Sequence, residues 1–166
     1  MVINAGHLMA AAPIKGMLPE KYKEHGVSFG LSEAGYDIRI KQNITFVPDG
    51  ASCRVGVMYP DGPDFSEGRF ILASTMEEFQ MPTHLVGIVH DKSTWARRGL
   101  SVFNTVIEPG WKGFLTLELV YHGQEGLVIP AGSGIAQVIF HELAQPMRYE
   151  GKYQNQEDGP VAARKS

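Results

Sequence analysis

Along the 166 residues, apolar positions come in short runs broken by turn residues, with no long helical stripe. YDIRIKQNITFV (36–47) alternates Ile38 and Ile40 with Arg39 and Lys41, the period of a half-buried strand. CRVGVMY, RFILAS, HLVGIVH, LSVFNTVI, FLTLELVY, GLVIPA and GIAQVIFHEL follow, each bounded by Gly, Pro or polar turn residues. Together they predict an all-β domain of about eight to ten strands, the count of a barrel or sandwich. Helix is expected only over LPEKYKEHG (18–26) and in one short turn at STWARRG. There Ser93 or Thr94 would cap the start and Gly99 would end it.

Within FLTLELV, period two puts Leu115, Leu117 and Leu119 on one face and Thr116, Glu118 and Val120 on the other. Glu118 is the one acid among these leucines. Periodicity leaves two readings open, a glutamate on a solvated face or a carboxylate with chemistry to do.

Composition narrows the class. The chain is long enough for one domain with a real core, so residues 1–166 read as a single unit. Its single cysteine, Cys53, excludes an internal disulfide and any multi-cysteine metal site, which points to a reducing, cytoplasmic setting. No apolar run approaches the roughly 20 residues of a membrane span, and MVINAGHLMAAAPIKGMLPE lacks the order of a signal peptide. A net charge of −3 disfavours nucleic acid and anionic membranes as partners, so an anionic ligand must meet a local cluster.

Two such clusters exist. STWARRG, preceded by Lys92, gathers hydroxyls, guanidinium groups and a helix start, a set able to hold phosphate or simply to face water. The tail RYEGKYQNQEDGPVAARKS (148–166) mixes basic and amide side chains, loses apolar periodicity and reads as a mobile C-terminal arm. The six histidines show no metal-ligand spacing, and neither a G-x-S-x-G nucleophile nor a P-loop is present.

In order along the chain, SEAGYDIRI (32–40), KSTWARRGL (92–100), TVIEPGWKGFLTLEL (105–119), IPAGSGIAQVIF (129–140) and YEGKYQNQEDGP (149–160) resemble the dCTP deaminase family of the dUTPase-like superfamily. The resemblance implies a distorted β-barrel of the dUTPase (β-clip) type with few short helices, assembled as a homotrimer with sites between subunits. It implies deamination of dCTP to dUTP and ammonia without zinc. Zinc deaminases need a His or Cys followed by a P-C-x-x-C pair, which a chain with only Cys53 cannot supply.

The resemblance also assigns roles. Glu118 becomes the general base and acid, supported by Ser93 and Arg97 of the S-x-x-A-R motif. Lys92, Ser93, Arg97, Lys152 and Gln156 fall on phosphate contacts, Glu108 and Tyr149 on positions near the sugar or base, and Thr94, Thr105 and Thr116 on further substrate-binding positions. Magnesium is expected as a companion of the triphosphate, with no protein ligand, and dTTP as a feedback ligand. Asp37 is expected to cap or to pair with Arg39, Gln137 to bond backbone, and Trp111 to pack in the core after an EPGW turn. The chain departs from the family at Lys92, where arginine is common, at Arg98, often apolar, and at Glu108, often aspartate. Two further readings are an added dUTP diphosphatase activity and a nucleotide-binding trimer without catalysis. An acid at Glu118 favours deamination, because a dUTPase has no need of it there.

Overall fold

The computed structural model describes residues 1–165. Among them run β1 (Val2–Ile3), α1 (Ala5–Ala11), β2 (Lys21–Glu24), β3 (Val27–Leu31), β4 (Tyr36–Arg39), β5 (Ile44–Asp49), β6 (Ser52–Tyr59), β7 (Gly62–Glu67) and β8 (Phe70–Gln80). Then follow β9 (Leu85–Asp91), α2 (Ser93–Ala96), β10 (Leu100–Val102), β11 (Val106–Ile107), β12 (Lys112–Tyr121), β13 (Leu127–Ile129) and β14 (Gly134–Glu142). The all-β class is as expected. The strand count is higher than expected, because polar strands such as β7, which pairs with the expected β6, bury too little to show an apolar pattern.

Antiparallel pairing makes three sheets, ordered β11-β9-β14-β4-β3-β2 with β1 also on β14, β10-β12-β8, and β13-β5-β6-β7. Isolated bridges, Ile40 to Thr75 and Ile14 to Phe79, link strands beyond these ladders. The strands of this chain do not close into one hydrogen-bonded ring, so the expected barrel is realised as packed, separate sheets. Between the sheets lie Phe46, Phe79, Phe140, Ile38 and Ile40, all fully buried. β14, flanked by β4 and β9, buries Ala136, Val138 and Phe140 completely, as a central strand should. Among the described residues no helix is long and apolar enough to cross a membrane.

Several local expectations are corrected. Residues 18–26 do not form a helix: Lys21–Glu24 pairs with β3, and His25 (φ 49°) with Gly26 (φ 79°) makes a two-residue hairpin turn of left-handed conformers. YDIRIKQNITFV is two strands in different sheets. The chain switches at Gln42, whose side chain bonds both the N–H and the hydroxyl of Ser74 at 2.8 Å. LSVFNTVI likewise splits, β10 pairing with β12 and β11 with β9. Gln137 donates to the Ser32 hydroxyl at 2.9 Å, not to backbone. Gly35 is required by packing, since a Cβ there would lie 2.1 Å from the Val138 carbonyl oxygen.

Asp37 does not pair with Arg39. Arg39 is taken by Glu77 on β8, which accepts from its Nε and its backbone N–H at 2.8 Å each. Burial pushes the Glu77 carboxyl up, and the Arg39 contacts work against that shift.

Candidate active site

β12 carries the site because it is the middle strand of its sheet, held by β8 on one side and β10 on the other. Leu117, Leu119 and Tyr121 enter the core, so Thr116 and Glu118 face away from it, as period two dictates. They open into a cavity of about 530 Å³, a size that suits a nucleoside-scale ligand. A register shift between Phe114 and Thr116 bends β12 at the cavity floor and brings Leu115 into the lining.

Glu118 is half-buried, and its backbone is pinned by Phe103 N–H to Glu118 O at 3.0 Å. Burial pushes its carboxyl above the usual carboxylate range, countered only by its own backbone N–H. Its carboxylate has no other protein partner among the described residues. A proton acceptor of raised affinity, rigidly mounted and uncommitted, stands in a cleft.

Thr105, Glu108, Thr116, Tyr149 and Gln156 line the same cavity. Thr105 and Glu108 arrive on the segment around β11, and Trp111 N–H closes the expected EPGW turn onto Glu108 O at 3.1 Å. Trp111 is buried against Phe79, and its indole N–H reaches Tyr153 O at 2.6 Å. That bond ties the 148–165 segment to the core. Tyr149 N–H donates to Pro109 O at 2.8 Å, and Gln156 forms a parallel bridge with Gly113. The expected arm is therefore seated against the cavity, with Val161 and Ala163 in its wall; its last residue, Ser166, lies outside the described residues.

Lys92, Ser93, Thr94 and Arg97 do not line this cavity. α2 is a single four-residue turn whose N-cap position is Lys92, without a side-chain cap, so neither Ser93 nor Thr94 caps it. It is anchored by Trp95, buried, with its indole N–H on Gly134 O at 2.6 Å; it ends at Ala96 with Arg97 in the C-cap position, so Gly99 (φ 90°) closes the turn that follows and does not itself cap the helix. This leaves Ser93, Thr94 and Arg97 exposed, while Arg98 lies over the Trp95 ring at 5.5 Å. Lys92 is paired with buried Asp37. Lys152 donates to Arg164 O at 2.6 Å within the arm and lies outside the lining.

Sequence reasoning missed Phe70 and Leu72 of β8 in the cavity wall. They sit opposite Val120 and Glu118 in the ladder, a register that RFILAS does not reveal by itself. Among the described residues the lining holds two carboxylates, Glu108 and Glu118, and neither lysine nor arginine. Among the described residues no group of three or more His, Cys, Asp or Glu is gathered as a metal cage.

The fold is that of the dUTPase-like proteins. EIAV dUTPase superimposes with a TM-score of 0.51 at 20% identity, covering 86% of this chain and 92% of that one. The 2'-deoxycytidine 5'-triphosphate deaminase of Agrobacterium tumefaciens gives 0.57 at 17% identity, covering 86% of this chain and 48% of that one. Within that class, residues 20–143 match the family described as dCTP deaminase-like. The dCTP deaminase of Campylobacter curvus is 35% identical, over 79% of this chain and 78% of its own. That of Acidobacterium capsulatum is 30% identical, over 95% and 96%. The chain belongs to the dCTP deaminase-like family.

Proposed function

We propose that this protein deaminates dCTP to dUTP and ammonia without zinc, with Glu118 as the proton shuttle. The observation that carries the reading is Glu118 itself, half-buried, raised in proton affinity and without a partner in a nucleoside-sized cavity. Its carboxylate takes a proton from the water that attacks C4 of the cytosine. It then delivers a proton to the departing 4-amino group, so one water is consumed and one ammonia released. A carboxylate lifted by burial suits both halves of that cycle, since it binds the proton well enough to hold it between steps.

The triphosphate must meet cations that the cavity of one chain lacks. In this reading the exposed Ser93, Thr94 and Arg97 of a neighbouring copy complete the site, in a homotrimer with sites between subunits. Ser93 and Arg97 hold the attacking water and the charge around C4, and the neighbouring turn and Lys152 hold phosphate. Thr105, Glu108, Thr116 and Tyr149 contact base and sugar, and the arm with Gln156 closes over the nucleotide. Magnesium enters as the companion of the triphosphate, whose oxygens supply its ligands. dTTP, sharing sugar and triphosphate, would occupy the same cavity as a feedback ligand.

Incubation of the purified protein with dCTP and magnesium, with products resolved by chromatography, tests the reading. dUTP and ammonia are expected. dUMP with diphosphate would add a diphosphatase activity, and unchanged dCTP would sink the proposal.

A further inference from the structure

Asp37 stands in the middle of the largest sheet, opposite Gln137 of β14 and Gly30 of β3. Its side chain is 3% exposed. A charge so placed needs a partner, and it finds one 55 residues away: Lys92 Nζ lies 2.5 Å from Oδ2, and Ser28 Oγ donates to the same oxygen at 3.3 Å. Oδ1 is buried without a partner. The lysine is itself nearly enclosed, with 11% of its side chain exposed, and its stem passes Gly134, where an added Cβ would lie 3.5 Å from Lys92 Cε.

Lys92 is also the residue from which α2 starts. Its carbonyl accepts from both Trp95 and Ala96 N–H at 3.0 Å, so its backbone sets the path of the turn. The turn is thus fastened at two points, by Lys92 to β4 and by Trp95 to Gly134, and between them it presents Ser93, Thr94 and Arg97 outward. If Lys92 swung out to a phosphate, Asp37 would lose its cationic partner while both its oxygens stayed out of water, and leaving one member of a buried pair uncompensated is strongly unfavourable.

We propose that Asp37 is a positioning residue for the triphosphate site: it holds Lys92 inward, fixes the aim of Ser93 and Arg97, and thereby takes Lys92 out of the set of direct phosphate contacts. This rests on the deaminase reading for the identity of the ligand. The tether itself is a property of the free chain.

Lysine footprinting of the wild-type protein by acetylation and mass spectrometry tests it without a variant. Lys92 should stay unmodified with and without dCTP or inorganic triphosphate, while exposed Lys23 and Lys112 react. A Lys92 that reacts in the free protein and is shielded by either ligand overturns the proposal. In a second arm, dCTP binding is measured by calorimetry. Asp37→Asn should weaken it by about tenfold or more, as misaimed contacts do, whereas Lys92→Arg, which keeps the pair, stays close to wild type. Asp37→Asn binding as tightly as wild type, or tighter because a freed ammonium meets phosphate, overturns it too. Ammonia release by wild type is scored separately. Its absence sinks the deaminase reading and leaves the footprint to decide the tether.

Discussion

Gln156 Nε2 donates to Thr116 Oγ1 at 2.6 Å, tying the C-terminal segment to the position two residues before Glu118 on the same face of β12. Val161 N–H reaches that oxygen as well, at 3.0 Å, and Gln156 Nε2 also meets Phe114 O at 2.9 Å. The hydroxyl of Thr116 is thus engaged by the arm, while the Glu118 carboxylate beside it is left for a ligand. Closure of the arm and placement of the carboxylate share one strand.

Thr116→Val keeps the shape of β12 and removes the acceptor for two donors. Proteolysis within 148–165 should then quicken by about tenfold, since each stranded donor costs on the order of 1–3 kcal/mol, and KM for dCTP should rise. Gly113→Ala should act the same way by another route. A Cβ there would lie 2.5 Å from both the N and the O of Gln156, at a φ of 132° that suits glycine. Thr116→Ser, which keeps the hydroxyl, should retain a protected arm.

Glu118→Gln should keep nucleotide binding and lose turnover by about 10³-fold or more, because the amide has the size of the acid but cannot accept a proton. Calorimetry with dCTP and an ammonia assay read the two quantities separately. Substantial residual turnover would remove Glu118 as the base.

The same substitution should stabilise the fold near neutral pH. The Glu118 carboxyl is raised in the folded state, so the folded chain holds its proton more tightly than the unfolded chain, whose reference value is 4.5. Below that value both states are protonated and no penalty exists. As pH rises through it, the unfolded chain ionises first and the folded state loses relative stability, a loss complete once pH passes the raised folded value. Thermal melts should therefore show Glu118→Gln above wild type by a few degrees at pH 8, and level with it near pH 3. A cost to stability borne at a site of chemistry is what a functional carboxylate entails.

Much of this was legible where a local rule decides. Period two placed Leu117 and Leu119 inward and Glu118 outward, and the E-P-G-W turn was read from turn chemistry. KYKE was misread as helix because one exposed aromatic among three charged residues carries no strand alternation, and positive φ, taken up here by His25, is uncommon outside glycine. The Asp37–Lys92 pair was invisible for another reason: its partners are 55 residues apart and meet only through sheet order. The same holds for Phe70 and Leu72 in the cavity wall, and for the separation of Arg97 from Glu118.

That separation gives the sharpest test of how the site is assembled. Glu118 lines a cavity with no lysine or arginine, and Ser93 and Arg97 stand exposed elsewhere on the same chain. A triphosphate brings about four negative charges into a lining that already holds two acids, and removing charge from water without a counter-charge is prohibitive. Either the arm carries Lys152 inward alone, or another copy supplies the cations. The two are separable by mixing inactive variants. Glu118→Gln chains retain Arg97, and Arg97→Ala chains retain Glu118, so each is dead as a homo-oligomer. If sites form between subunits, co-refolding should regenerate whole sites at a fraction of them, about a quarter for random assembly of equal amounts in a closed ring. Ammonia release should rise accordingly from near zero. If each chain instead held a self-sufficient site, every site in the mixture would lack one residue or the other and no activity would return.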